Sequence, residues 1–253
     1  QSYKKQYAVP RKTLIDNLEE AVVEEKKIEE MDVVFLMDRF GYAKTVDVSV
    51  YERNKEAADT ENRYILTCKN TDKICIFTNK GQMHLLKVLD LPYGKFRDKG
   101  IPIDNLSNYN SSEENFIYII NLGAIIHSRL LFGTKTAMLK MVDGSEFDVA
   151  KRTTASTKLN EDDELLIVHA MTGEETVVMQ SEKEMFLRIE ASTIPEKKKG
   201  AVGVRGMKLN AGDALSNIYV LDGESEPTVE VKGKEVVLNR LRVGNRDTKG
   251  TKR

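Results

Sequence analysis

Residues 32–48 read DVVFLMDRFGYAKTVDV, two apolar runs that flank a short polar turn containing Gly41. Apolar runs of this length that are bounded by turn residues predict β-strands. Glycine can adopt the positive φ that a tight turn requires. The stretch therefore predicts a β-hairpin.

The same pattern recurs along the chain. Four further segments read as apolar strand, polar turn, apolar strand: KICIFTNKGQMHLLKV (73–88), TAMLKMVDGSEFDV (136–149), TVVMQSEKEMFLRI (176–189) and PTVEVKGKEVVLNRL (227–241). Three of them contain hairpin turn signals, at Asn79-Lys80-Gly81, Asp143-Gly144 and Lys232-Gly233. The repetition predicts a series of similar units rather than one irregular sheet.

One more apolar strand is predicted between consecutive hairpins: 62–68, 115–122, 163–171 and 214–221. A small sheet of this kind cannot bury both faces alone, so the units must pack around an axis as propeller-like blades. We predict an all-β fold of four-stranded blades, five in number, with six as the alternative. Only residues 14–30 have a helix-like pattern. The absence of tryptophan disfavours the WD type of propeller.

Composition is that of a folded domain, with 253 residues, 40% hydrophobic and 31% charged. No apolar run approaches the roughly 18 residues that span a membrane. The chain begins at Gln1 rather than at methionine, and we interpret it as a piece of a longer protein.

Charge is segregated along the chain, although the net charge is only −1. Positive charge is in excess over 129–158, 185–210 and 240–253, whereas 161–184 is strongly acidic. A ring of blades could bring the positive segments onto one surface. We expect the acidic segment to lie in solvated connections that face away from that surface.

A second repeated element follows the hairpins. LPYGKFRDKGIPIDNL (91–106) and IPEKKKGAVGVRGMKL (194–209) share an apolar-Pro start, a basic loop, a glycine and a closing leucine, and TTASTKL (153–159) is a degenerate copy. Lysine and arginine in such loops can neutralise successive phosphates without reading bases. The element therefore predicts a nucleic-acid-binding surface.

The ordered combination of hairpins, basic loops and repeat period resembles the C-terminal β-pinwheel domain of bacterial type IIA topoisomerase A subunits, those of gyrase and topoisomerase IV. The likeness extends from RKTLIDN (11–17) to the basic end of the chain. It implies a DNA-binding pinwheel over 31–243, a connecting segment with a first strand over 1–30, and a basic tail over 244–253.

The resemblance also implies a function. The domain would bind and bend double-stranded DNA without sequence specificity and present the transported duplex to the cleavage core of the same polypeptide. On its own it would be a monomeric, non-catalytic domain without cofactors. The holoenzyme would be a cytoplasmic, nucleoid-associated isomerase that uses Mg²⁺ and ATP, and its partner would be an ATPase B subunit.

One departure bears on the choice between the two enzymes. The A subunits of gyrase carry a basic, glycine-containing box soon after a tyrosine motif like Val50-Tyr51-Glu52. Here that place reads RNKEAADTENR (53–63), which mixes acidic and basic residues and has no glycine. This favours topoisomerase IV. KKKGAVG (197–203) is a weak echo of the box elsewhere, so gyrase, with DNA wrapping, stays as an alternative.

The candidate DNA-binding residues are basic side chains in predicted turns and inter-blade loops. They are Arg39, Lys44, Lys80, Lys95, Arg97, Lys99, Arg129, Lys135, Lys151, Arg152, Lys158, Lys197, Lys198, Lys199 and Arg205. A protein-binding scaffold is the rival reading, supported by the near-zero net charge.

Other chemistry is not predicted. Cys68 and Cys75 lack metal-ligand spacing and read as small buried hydrophobes. His84, His127 and His169 lie on separate predicted strands without a nearby carboxylate pattern, and packing or surface roles are expected for them. The acidic run 160–164 lacks the alternate spacing of a calcium loop and is read as a solvated turn, and no catalytic or metal-binding residue is predicted.

Overall fold

A computed structural model describes residues 28–253, and strands make up most of the regular secondary structure among them. They are β1 (Asp32–Asp38), β2 (Tyr42–Asp47), β3 (Asn62–Lys69), β4 (Lys73–Thr78), β5 (Gln82–Lys87), β6 (Tyr93–Gly94), β7 (Ile101–Pro102), β8 (Phe116–Asn121), β9 (Arg129–Thr134), β10 (Met138–Asp143), β11 (Thr153–Ala155), β12 (Leu165–Met171), β13 (Thr176–Ser181), β14 (Met185–Glu190), β15 (Val204–Arg205), β16 (Leu215–Leu221), β17 (Thr228–Val231), β18 (Lys234–Val237) and β19 (Thr251–Lys252). The predicted helix at 14–30 lies outside the described residues, except for 28–30, which are neither helix nor strand.

These strands form five small sheets, which confirms the all-β prediction. Blade 1 has the order β3-β1-β2-β6, with β7 also on β2, and blade 2 has the order β11-β5-β4-β8. Blade 3 is β12-β9-β10-β15, and blade 4 is β16-β13-β14-β19. The fifth unit is only the two-stranded hairpin β17-β18, so the prediction of five four-stranded blades was wrong for this unit among residues 28–253.

The blades are interlocked along the chain. In each of blades 1 to 4, a hairpin is flanked on one side by a crossing strand and on the other by a short strand that arrives later. For blade 1, the late strands β6 and β7 come only after the chain has formed the hairpin β4-β5 of blade 2. Every complete blade is therefore closed by chain that has first passed through the next blade.

The crossing strands form the inner side of the ring. β3 contacts β8, β8 contacts β12, and β12 contacts β16, although these four strands belong to four different sheets. The opposite sheet edges, which carry β6, β7, β11, β15 and β19, therefore face outward. The repeated basic loops lie at these outer edges.

Continuous apolar strands are explained by burial on both faces. In β4, Ile74 and Ile76 pack towards blade 1, whereas Cys75 and Phe77 pack towards blade 3. Side chains of a strand alternate between faces, so a strand between two blades must be apolar at every position. Cys68 and Cys75 are both free and buried, as predicted.

Among residues 28–253 no blade precedes blade 1, and two helices cover the face of blade 1 that points away from blade 2. Helices α1 (Val48–Arg53) and α2 (Lys55–Glu61) pack Val50 and the buried Ala58 against Val34 and Leu36 of β1. The stretch 53–63, in which the sequence showed no basic box, is thus mostly helical. A third short helix, α3 (Leu122–Ile125), follows β8.

The third predicted hairpin was placed wrongly. The hairpin is β9-β10, and its turn lies at Lys135–Ala137, where Ala137 takes a φ of 62°. Asp143 does not form a turn with Gly144. Its side chain instead accepts a hydrogen bond from the Ser145 amide and begins a short 3₁₀ helix, Gly144–Phe147.

The basic end of the chain is part of blade 4. Thr251 and Lys252 pair with Phe186 and Met185 of β14, so residues 244–253 form an outer edge where the sequence suggested a tail. Among residues 28–253, no helix is long and apolar enough to cross a membrane.

Candidate nucleic-acid interface

The outer loops of blades 1, 3 and 4 share one register. Each starts with a parallel contact to the second hairpin strand, as in Met141 with Glu196 and Arg188 with Val243. Each ends with an antiparallel pair, as in Leu139 with Val204 and Phe186 with Thr251. The repeated element read from the sequence is therefore also a structural repeat.

A glycine fixes the end of each of these loops. Gly100, Gly203 and Gly250 lie against the backbone of Ala43, Leu139 and Phe186, the matching residues of three blades. A Cβ added to Gly203 would stand 2.4 Å from the Leu139 carbonyl oxygen, and one added to Gly250 would stand 2.8 Å from that of Phe186. No side chain fits between the loop and the strand.

The loops display basic side chains to solvent. Lys95, Arg97 and Lys99 are exposed on blade 1, and Lys197 and Lys198 are exposed on blade 3. Lys199 is partly buried, and its ammonium group donates to the Glu146 carbonyl oxygen at 2.8 Å. Lys198 also contacts the Glu146 carboxylate at 3.4 Å, but its side chain is 88% exposed. The two clusters singled out in the sequence thus occupy equivalent outer edges.

Lys44 plays a different part from that expected. It is half-buried on β2, and its ammonium group donates to the carbonyl oxygens of Phe96 and Asp98 inside the blade 1 loop. Burial lowers the pKa of Lys44, against the effect of nearby carboxylates. These contacts support the loop from beneath.

Lys80 and Lys135 share one carboxylate. Glu164 accepts from Lys80 at 2.8 Å and from Lys135 at 2.6 Å, and these hydrogen bonds lower the pKa of Glu164 to about 2. The three residues join the hairpin turns of blades 2 and 3. Both lysines are thus already paired in the free domain.

The other candidates lie at turns and edges. Arg39 is exposed and stacks on the ring of Phe40, and Arg205 contacts Asp247 at 3.5 Å. The remaining candidates are exposed and have no ion pair among the described residues: Arg129, Lys151, Arg152 and Lys158.

The structure adds a fourth outer loop that sequence reasoning missed. The same nine positions separate Leu91 from Gly100, Ile194 from Gly203 and Leu241 from Gly250. The loop 241–250 carries Arg242, Arg246 and Lys249 but lacks the proline of the other copies. The nine-residue spacing between an aliphatic residue and glycine was the signal that could have identified it.

The blade 2 loop is shorter and differently anchored. Thr153 pairs with His84 and takes the place of the glycine in the other loops. His84 is buried, and its imidazole lies 3.0 Å from the Thr153 hydroxyl and 2.8 Å from the Glu114 carboxylate. The packing role expected for His84 fits this geometry, but the expectation that no carboxylate lies near it was wrong.

The other two histidines lie elsewhere. His127 is exposed, and burial lowers the pKa of the half-buried His169.

The acidic segment is less solvated than expected. Asp163 is 7% exposed and accepts from the Thr136 amide at 3.0 Å. Glu175 is 4% exposed and accepts from the amides of Thr172 and Gly173, which lowers its pKa to about 2 despite the opposing effect of burial. Glu161, Asp162 and Glu174 are exposed. The reading of 160–164 as a wholly solvated turn was therefore wrong for Asp163.

The fold and its outer loops can be compared with known proteins. Residues 128–170 and 175–222 match the family model described as "DNA gyrase C-terminal domain, beta-propeller". The chain is 28% identical to the A subunit of DNA gyrase from Lawsonia intracellularis, over 98% of this chain and 32% of the relative. It is 29% identical to the same protein of Staphylococcus epidermidis, over 92% of this chain and 28% of the relative. The chain thus spans about a third of the length of these curated relatives.

Solved structures share the fold. The C-terminal domain of DNA topoisomerase IV superposes with a TM-score of 0.77 at 22% identity, covering 88% of this chain and 73% of that one. The DNA gyrase A C-terminal domain gives a TM-score of 0.57 at 17% identity, over 87% and 76% of the two chains. These likenesses confirm the propeller-like pinwheel fold.

The matches make the chain similar to one class of protein, the C-terminal domains of the A subunits of DNA gyrase and topoisomerase IV. Within that class they do not separate gyrase from topoisomerase IV. The named sequence relatives are gyrase subunits, whereas topoisomerase IV was favoured by the missing box.

Proposed function

We propose that this domain binds duplex DNA along its outer edge, through phosphates and without sequence preference. One observation carries the proposal: loops in the same register on three outer edges display exposed lysine and arginine side chains. Phosphate contacts of this kind give affinity but read no bases, as an enzyme that acts on any sequence requires.

Salt dependence tests this proposal. If about five phosphate contacts form, the logarithm of the binding constant should fall against the logarithm of salt concentration with a slope of roughly −4 to −5. The measurement is a band shift on two unrelated duplexes over a range of salt. A slope near zero, or binding confined to one sequence, would overturn the proposal.

We infer further that the domain bends DNA as part of topoisomerase IV. The place of the gyrase box is occupied by α1 and α2, whose apolar side chains are used to cover blade 1. Bending needs only a curved positive edge, whereas chiral wrapping needs the DNA path to be held at both ends. The A subunit of gyrase is the second candidate, because the named sequence relatives are gyrase subunits.

Ligation of nicked circles separates the two candidates. Circles closed in the presence of a bending domain should gain little writhe of fixed sign. Strong positive supercoiling that grows in proportion to the bound protein would establish wrapping and the gyrase assignment. A variant with Lys197, Lys198 and Lys199 changed to glutamate serves as the control for binding.

The longer protein to which this domain would belong is proposed to be a bacterial, cytoplasmic enzyme that passes one duplex through another. Its cleavage core, Mg²⁺, ATP and an ATPase B subunit would supply the chemistry. The domain described here would supply DNA capture alone.

A further inference from the structure

Lys140 is a buried lysine directly beneath the blade 3 loop. It lies on β10, its side chain is among the largest that are fully buried, and only 1% of the residue is exposed. Its ammonium group donates to the carbonyl oxygens of Lys198 at 3.2 Å, Lys199 at 2.8 Å and Ala201 at 2.8 Å. An ammonium group has three donors, so these acceptors can use all of them.

The arrangement is repeated in blade 1. Lys44 and Lys140 occupy the same register, since Tyr42 pairs with Pro102 as Met138 pairs with Arg205. Lys44 also donates to two carbonyl oxygens of its own loop, those of Phe96 and Asp98. Two blades thus place a lysine under the loop that carries the exposed basic cluster.

In blade 4 a different cationic side chain donates hydrogen bonds to carbonyl groups at the outer loop. Leu187 stands at the lysine position there, and the neighbouring Arg188 donates to the carbonyl oxygens of Asn239 and Leu241. Blade 2, whose loop is short, has His84 at the position and bonds Thr153 instead. A cationic side chain therefore accompanies each long loop.

A buried ammonium group stays charged only if nearby groups stabilise the charge. Burial lowers the pKa of Lys140 to about 8, against the effect of Glu146, and the carbonyl oxygens and the Phe132 ring, 5.5 Å away, are its stabilising partners. With the carbonyl groups of 198, 199 and 201 turned inward, the side chains of Lys197 and Lys198 are left outward. The hydrogen bonds from Lys140 that shape the loop therefore also leave these two lysine side chains exposed.

We propose that Lys140 is a positioning residue for DNA binding, which holds loop 196–202 so that its exposed lysines meet successive phosphates. Lys44 does the same for loop 95–99. This inference rests on the proposed function, because it concerns how the same outer edge is presented to DNA. Lys140 itself does not contact the phosphates.

The test is Lys140→Met, compared with Lys140→Arg and with Lys234→Met, which removes an exposed charge on β18. Loss of one phosphate contact changes the salt slope by about 0.9. Displacement of the loop should weaken binding about three- to tenfold and flatten the slope by more than that single-contact value. Lys140→Arg, whose side chain also donates to carbonyl groups, should restore much of the affinity and of the salt slope. Lys234→Met should change neither quantity.

Hydrogen exchange of the free protein gives a readout that does not need DNA. Amides of 196–203 should exchange at least tenfold faster in Lys140→Met, while amides of blade 1 stay protected. If Lys140→Met does not fold, Lys44→Met is measured on loop 95–99, since Lys44 is only half-buried.

The outcomes are separable. A parent domain that does not bind duplex overturns the proposed function, and the positioning role with it. A parent that binds, with a folded Lys140→Met that binds equally and shows unchanged exchange in the loop, overturns only the positioning role.

Discussion

The outer edges of blades 2 and 3 are closed with different chemistry. Blade 3 presses Gly203 onto the backbone of Leu139 and supports a long loop with the buried Lys140. Blade 2 has Thr153 at the glycine position and fastens it through His84 to Glu114. The closing strand is therefore common to both blades, whereas the long basic loop is an addition that needs its own support.

The largest effect is expected at the blade 3 glycine. Gly203→Ala should lower the free energy of unfolding by about 2 to 3 kcal/mol, because the new Cβ meets backbone atoms that cannot move aside. Chemical denaturation measures it. Gly200→Ala in the same loop is the matched control, since nothing lies within 4 Å of its Cβ position. Equal stability of the two variants would contradict the claim that the blade 3 loop, unlike the blade 2 loop with Thr153, has no room for a side chain at its closing position.

The junction between the two blades should be sensitive to acid. Hydrogen bonds from Lys135 and Lys80 hold the pKa of Glu164 at about 2, below its ordinary value of 4.5. Its stabilising contribution is therefore full above pH 4.5 and is lost as pH falls towards 2. Glu164→Gln should cost about 1 to 2 kcal/mol at pH 6. Denaturation of both proteins from pH 6 to pH 2 should show that difference shrinking, and a constant difference would contradict the assignment.

DNA affinity should distinguish the loops themselves. Replacing Lys197, Lys198 and Lys199 by glutamate should weaken binding several-fold and flatten the salt slope by up to about three contacts, equally on unrelated sequences. The paired change Lys151→Glu and Arg152→Glu tests the short blade 2 loop and should flatten the slope by no more than about two contacts. A folded blade 3 triple variant that binds like the parent would show that the DNA path avoids this loop.

The smallest effect is expected at an exposed acid. Glu174→Lys should change both affinity and stability by less than about 0.5 kcal/mol, because surface substitutions away from special contacts are usually neutral. Glu175 is unsuitable for this comparison, since it is buried and accepts hydrogen bonds from the amides of Thr172 and Gly173. A large gain in affinity from Glu174→Lys would place the DNA path beside the acidic segment.

Apolar runs bounded by turn residues were enough to predict most of the blades, including four of the five hairpins. The third hairpin failed because its real turn contains Ala137 at positive φ and no glycine, while Asp143-Gly144 has turn chemistry but begins a 3₁₀ helix. Local signals do not separate these two uses of the same residue pair.

The candidate site was predictable as a set of loops but not residue by residue. Exposed lysines and buried supporting lysines have the same letter in the sequence, and only the fold separates Lys44 and Lys140 from Lys95 and Lys197. The pair formed by His84 and Glu114 joins positions 30 residues apart, which no short motif reveals. Long-range contacts of this kind are set by the order of the blades.

The order of the blades also governs how the strands can pair while the chain is being synthesised. β2 acquires its outer neighbours β6 and β7 only after β4 and β5 have been made, and β14 waits for Thr251 and Lys252. Each blade first has an unpaired outer edge. That edge is paired only when the chain returns from the hairpin of the next blade. A stalled or truncated product therefore exposes an unpaired strand edge on the last blade that was synthesised. Synthesis thus passes through a series of aggregation-prone intermediates.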